Sequence, residues 1–312
     1  QPVCEHFFAQ IDANVDELYQ GDLRDGHVRV LFPALGQVMN VSDHAWKAAT
    51  SHDDNDRDQG ASHTVGGMMD LLQFYKAICA TVVREIFDAN WEDGRAGDVD
   101  ASQKLLGELT RTFPDSGLTA DKLKGERAVV LEAAAKAAVK AFGRADENEA
   151  AAYVPLVKRF PTNESTPDPV STRDDIKMAL LLSRCECTPP LHAVARRSRI
   201  DSFNEIIEEV WTRGSPFRDR LVEPPATSDG WEKLHDDVKK LRTLLMKTGG
   251  WNDGPCGSIV GDMKMSHVVL VHPLADARFI DVESAFTKLV ETPKRVDSKF
   301  GCLSPASFLN LT

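Results

Sequence analysis

VGGMMDLLQFYKAICATVVREIFDANW, residues 65–91, is the stretch around which the rest of the sequence is read. Its apolar positions Val65, Met68, Leu72, Tyr75, Cys79, Val82 and Ile86 alternate steps of three and four, the spacing that holds one seam of a helix against neighbouring helices. At ~1.5 Å per residue such a helix runs ~40 Å. Ile78, Val83 and Phe87 flank the seam and widen the apolar face beyond what a two-stranded coil needs.

Two further runs carry the same pattern. Trp231, Leu234, Val238, Leu241 and Leu245 follow a cap at Ser228 or Asp229 and end at Gly249-Gly250. Phe279, Val282, Phe286 and Leu289 form a third seam, closed by Pro293. Shorter helices are expected over Cys4 to Leu23 (Phe8, Ile11, Val15 and Leu18 on one face), Val28 to Trp46, Thr119 to Phe142, Glu147 to Phe160, Asp174 to Cys187 and Asp201 to Arg213. A short helix with Leu105, Leu106 and Leu109 is broken at Phe113, Pro114 and Gly117. The one strand-like run is His267 to His272. These patterns predict an all-α fold: a single elongated antiparallel helical bundle over residues 1–312, with coiled-coil-like seams and long loops at its ends. Pro161 to Thr172, rich in proline, is expected to be an exposed irregular loop within it.

Composition narrows the class. The 312 residues are 42% hydrophobic and 27% charged, ordinary for a globular protein. A formal charge of −11 argues against a nucleic-acid or anionic-membrane surface, which needs a basic face. The one basic cluster, Arg196, Arg197 and Arg199, reads as a solvated helix turn. No stretch approaches the ~20 apolar residues of a membrane span.

The six cysteines, Cys4, Cys79, Cys185, Cys187, Cys256 and Cys302, are an even set compatible with disulfide stapling. Cys4 and Cys302 lie near the two ends; Cys185 or Cys187 could reach Cys79, leaving the other for Cys256. Sequons at Asn40, Asn163 and Asn310 add glycosylation sites, and a glycosylated Asn40 must face solvent. On a helix its neighbours Met39 and Val41 cannot then both be buried on the same side. Cysteines and sequons together predict an extracellular location. The start at Gln1, with no leader, suits a processed ectodomain whose anchor lies elsewhere.

Chemistry is sparse. Asp54, Asp56 and Asp58 have the alternate spacing of a calcium loop, but Gly60 comes one place late and Val65 stands where the bidentate glutamate belongs. They read as a solvated acidic loop before a helix N-terminus. Cys185-Glu186-Cys187 would need His192, Cys256 or His267 to complete a metal site, and disulfides to separate partners are the preferred reading. No histidine pair has the i, i+4 spacing of a helical zinc site, no Gly-x-Ser-x-Gly occurs, and Gly66-Gly67 lacks the Lys-Ser/Thr of a phosphate loop. No catalytic set, cofactor or metal is therefore expected, and a binding protein is. Its anchors are sought in loops 51–63, 91–100, 161–172 and 213–230, with Asp54, Asp56, Asp58, Trp91 and Phe217 as candidates.

The start Cys4-Glu5-His6-Phe7-Phe8, the continuation Asp25-Gly26-His27-Val28 and the seam from Val65 to Ile86 resemble the invariant surface glycoprotein family of African trypanosomes. That resemblance implies a type I membrane protein whose helical head binds a host serum protein, such as an immunoglobulin or a complement component. No binding residue carries over by position. The rival expectation is a secreted or lumenal helical enzyme or small-molecule carrier with a pocket between helices.

Overall fold

The structure, a computed structural model, describes residues 2–23, 26–50, 62–64, 71–91, 99–142, 155–161, 169–198, 205–217, 225–248, 258–259, 265–271, 276–280 and 286–287. Among these the fold is mixed α/β, which overturns the all-α bundle. The chain forms two compact units, one of residues 21–162 and 195–209, the other of residues 1–20, 163–194 and 210–312.

Six strands, β1 (His27–Phe32), β2 (Gln37–Ser42), β3 (Ser62–Thr64), β4 (Pro155–Pro161), β5 (Leu191–Ser198) and β6 (Glu205–Thr212), form a sheet in the order β2-β1-β5-β6-β4-β3. The 21–162 unit holds the first four strands whole, with residues 195–198 of β5 and 205–209 of β6. Of Val28 to Trp46, expected as helix, the part up to Ser42 is an antiparallel hairpin with Val28 opposite Val41 and Val30 opposite Met39, and only the last residues, from Asp43, are helical. Gly36, at φ 61°, turns it and donates its N–H to the Phe32 carbonyl. Burial in β2 has a period of two: Met39 and Val41 are both buried and Asn40 between them is exposed. A strand thus places both neighbours inside and the sequon outside, which a helix would not.

The helices of this unit are α2 (Asp43–Thr50), α3 (Leu71–Asn90), α4 (Val99–Thr112) and α5 (Arg127–Phe142). Ser42 caps α2 by accepting the Ala45 N–H. The quoted stretch is helical from Leu71, and α3 packs against α2, α4, α5 and β2. Tyr75, Cys79 and Val82 of its seam are buried, but so are Leu71, Phe74, Ile78, Val83 and Phe87, because neighbours cover more than one side. Val65 and Met68 lie outside the described residues. Phe142 gathers the aromatic core, stacked on Tyr75 at 4.8 Å and edge-on to Phe32 at 5.1 Å.

In the other unit, α1 (Pro2–Tyr19) packs on α6 (Pro169–Arg184), burying Ile11, Val15 and Leu18. Lys177 pairs with Asp12, and the Arg173 guanidinium lies 4.5 Å from the Tyr19 ring centre. A second sheet runs β10-β9-β7, from β7 (Gly214–Pro216), β9 (Val268–Val271) and β10 (Asp276–Phe279). A Cβ on Gly214 would come 2.6 Å from Val269 Cγ2, so glycine is what lets β7 approach β9. The strand expected at His267 to His272 is β9. The third seam is not helical where described: Phe279 ends β10, and Phe286 begins β11 (Phe286–Thr287), paired with β8 (Ser258–Ile259). α7 (Ser228–Thr248) packs on β10. Asp201 to Arg213 and Glu147 to Phe160, also expected as helices, contain β6 and β4.

Disulfide stapling is corrected as well. Cys79, Cys185 and Cys187 stand as thiols. Cys79 is fully buried on α3, where burial pushes its thiol pKa up and it fills core volume. The pairing of Cys4, Cys256 and Cys302 lies outside the described side chains. Cys79 is expected to react with iodoacetamide only after denaturation. Cys79→Ala should leave non-reducing electrophoretic mobility unchanged and lower stability by about 1 kcal/mol in a urea titration.

Candidate functional site

The sequence-nominated anchors separate. Phe217 is fully buried and cannot anchor a partner. Trp91, half-buried, stacks on Phe87 at 5.5 Å and extends the end of α3, its N–H donated to the Phe87 carbonyl at 2.7 Å. Asp54, Asp56, Asp58, Asn163 and Asn310 lie outside the described residues, as do Arg199 and the loop 162–168. Asn40 is exposed on the edge strand β2, opposite Arg29.

Arg196 and Arg197, expected on a solvated helix turn, are buried on β5 at 8% and 6% exposure. They are paired rather than available to phosphate. Arg196 donates from Nε to Glu205 Oε2 at 2.8 Å and from a terminal nitrogen to Glu205 Oε1, a two-point pair, and from Nη1 to the Gly21 carbonyl at 3.3 Å. Arg197 Nε lies 3.4 Å from Glu208 Oε1, and its Nη1 lies 3.9 Å from Asp43, which also takes Lys47 at 2.9 Å. Glu208, 1% exposed on β6, accepts the Trp46 indole N–H at 2.5 Å. Lys47, Asp43, Arg197, Glu208 and Trp46 form one chain of charge and hydrogen bonds joining α2 to the centre of the sheet. Every oxygen of Glu208 is engaged from within, which marks the cluster as a positioning device.

The second titratable centre is His192 on β5. Its Nε2 lies 2.7 Å from Thr212 Oγ1, across from the closing hydrogen bond between the Thr212 N–H and the Pro190 carbonyl. Burial disfavours the charged imidazole and lowers its pKa to about 3.

The exposed surface offers one distinctive face. Among the described residues, the large apolar side chains left exposed are Val129, Trp231, Val238 and Met246, and three of these four lie on α7. Among the described side chains of α7, only Leu241 and Leu244 are buried. The expected seam therefore divides: Leu241 enters the core, while Trp231 and Val238 point outward at 55% and 45% exposure. At 100° per residue, Arg242 and His235 fall between Trp231 and Met246, so the outward stripe mixes apolar and polar side chains, and it is flanked by Glu232 and by Lys239, which pairs with Asp236 at 3.4 Å. The sequence pattern placed Trp231 and Val238 in a buried seam and did not single out Met246, since amphipathicity alone does not distinguish a buried seam from an exposed one.

No known family model matches the chain, and no curated protein matches it. Function is therefore read from these arrangements.

Two outcomes test the interior. Arg197→Met strands the Glu208 charge and should cost about 3–5 kcal/mol by urea denaturation; adding Glu208→Gln, which keeps an acceptor for Trp46, should recover a large part of that loss. Because folded His192 resists protonation until about pH 3 while the unfolded residue titrates near the ordinary imidazole value of 6.5, the unfolded state binds the extra proton between those values. Stability contributed by neutral His192 is thus present above pH 6.5 and lost as pH falls toward 3, by roughly 2 kcal/mol on reaching pH 5. A His192→Gln variant should show a flatter acid limb over that range.

Proposed function

We propose that this chain is a non-enzymatic binding protein that captures a protein partner on the outward face of α7. The observation that carries this reading is the exposure of Trp231, Val238 and Met246 along one helix, at 55%, 45% and 70%. Large exposed apolar side chains at helical spacing mark interaction surfaces, and tryptophan leads the residues that dominate interface energies. Arg242, set within this stripe between Trp231 and Met246, favours a partner that places an acidic group among its apolar contacts.

The partner class we propose is an extracellular serum protein, an immunoglobulin or a complement component, with the protein acting as a surface receptor. The exposed sequon at Asn40 supports that setting. The thiol state of Cys79 removes the support that disulfide stapling would have lent it.

Binding of purified serum immunoglobulin and complement components, measured by surface plasmon resonance, tests the reading. One of them should bind the wild-type chain, and Trp231→Ala with Val238→Asp should weaken that binding at least about tenfold. Because both side chains are exposed, circular dichroism and thermal midpoint should hold. Binding that is absent, or indifferent to the double substitution, overturns the proposal.

A further inference from the structure

The turn Cys185-Glu186-Cys187, which leaves α6 for β5, holds two thiols separated by a residue with left-handed backbone. Helix α6 ends in a two-bond cap: the Glu186 N–H is donated to the Ser183 carbonyl at 3.0 Å and the Cys187 N–H to the Leu182 carbonyl at 2.9 Å. Glu186, at φ 56°, takes the position that glycine usually fills. Helical backbone of either hand brings the residues flanking it to ~5.4 Å between Cα atoms. That separation lies inside the Cα window of a disulfide; because residues two apart on helical backbone do not face each other, closing the bond also requires the turn to move. Cys187 Sγ is turned back to within 3.5 Å of the Cys185 carbonyl oxygen. Exposure divides the roles: Cys185 is partly exposed, whereas Cys187 is buried at 2%.

We propose that Cys185 and Cys187 form a reversible disulfide with each other, with a low-molecular-weight disulfide of the glutathione class as oxidant. The Cys185 thiolate attacks one sulfur of glutathione disulfide, forming a mixed disulfide and releasing one glutathione thiolate. The Cys187 thiolate then attacks Cys185 Sγ, closing the internal bond and releasing the second glutathione. The two cysteines lose two electrons and two protons, and one glutathione disulfide becomes two glutathione thiols. A bond across so short a loop is strained, and strained disulfides are readily reduced, so the exchange runs in both directions. The turn is well placed for such a change, since the Cys187 carbonyl accepts the Phe279 N–H at 2.8 Å and so ties the end of α6 to β10. The inference stands apart from the binding reading and survives its failure.

The test uses the full, reduced chain exposed to glutathione disulfide, alkylated and digested with trypsin, which places both cysteines in the single peptide Cys185 to Arg196. That peptide is expected to weigh two hydrogen atoms less, to resist alkylation, and to recover it after reduction. In a Cys187→Ser variant Cys185 should retain glutathione, roughly tenfold more than in the wild type. In Cys185→Ser, buried Cys187 should remain an alkylatable thiol once the chain is denatured. A wild-type peptide that keeps glutathione, is fully alkylated, or is linked to Cys4, Cys79, Cys256 or Cys302 overturns the proposal.

Discussion

A carboxylate with 1% of its surface exposed sits at the centre of the larger sheet, and much of the unit around it follows from keeping that charge satisfied. Moving an unpaired carboxylate out of water costs several kcal/mol, so Glu208 is tolerable only with partners in place. Arg197 supplies charge from the adjacent strand and Trp46 supplies an indole N–H from α2. The requirement acts on geometry. A one-residue slip of β5 would turn Arg197 to the other face of the sheet and leave Glu208 alone.

Trp46 carries this constraint into the apolar core. Its ring lies edge-on to Phe74 of α3 at 5.9 Å, and α3 in turn offers Tyr75 to Phe142. The central helix is thus held by a polar anchor at one end of this chain and an aromatic cluster at the other. The polar end specifies which face of α2 meets the sheet, and the aromatic end buries Phe74, Tyr75 and Phe142. Cys79 lies within the same face and behaves as one more small apolar side chain.

The other unit divides its chemistry differently. Helix α7 commits two leucines to the interior and leaves a tryptophan, a valine and a methionine outside, an arrangement a purely structural helix would not favour. The cysteine turn lies one strand away, bonded to β10, the strand on which α7 packs. The exposed apolar side chains and the two thiols thus share a unit, while the buried ion chain belongs to the other.

Helices α1, α3, α6 and α7 were legible in the residues, because apolar positions at helical spacing persisted for several turns. Strands β5 and β6 were not. Central strands covered on both faces lose the alternation that betrays a strand, and Ile206, Ile207, Val210 and Trp211 happen to match helical spacing. The same accident hid the β1–β2 hairpin until Gly36 and paired burial revealed it. The pairing of Arg197 with Glu208 was beyond reach because the two are joined only by strand register. Sequence alone determined that several long stretches are helical, that one helix has an apolar stripe, and where the cysteines and sequons stand, all local properties of the chain. Tertiary structure decided that Phe217 is core and Trp231 surface, that the arginines are paired, and that Cys79 remains a thiol, since each depends on neighbours distant in sequence.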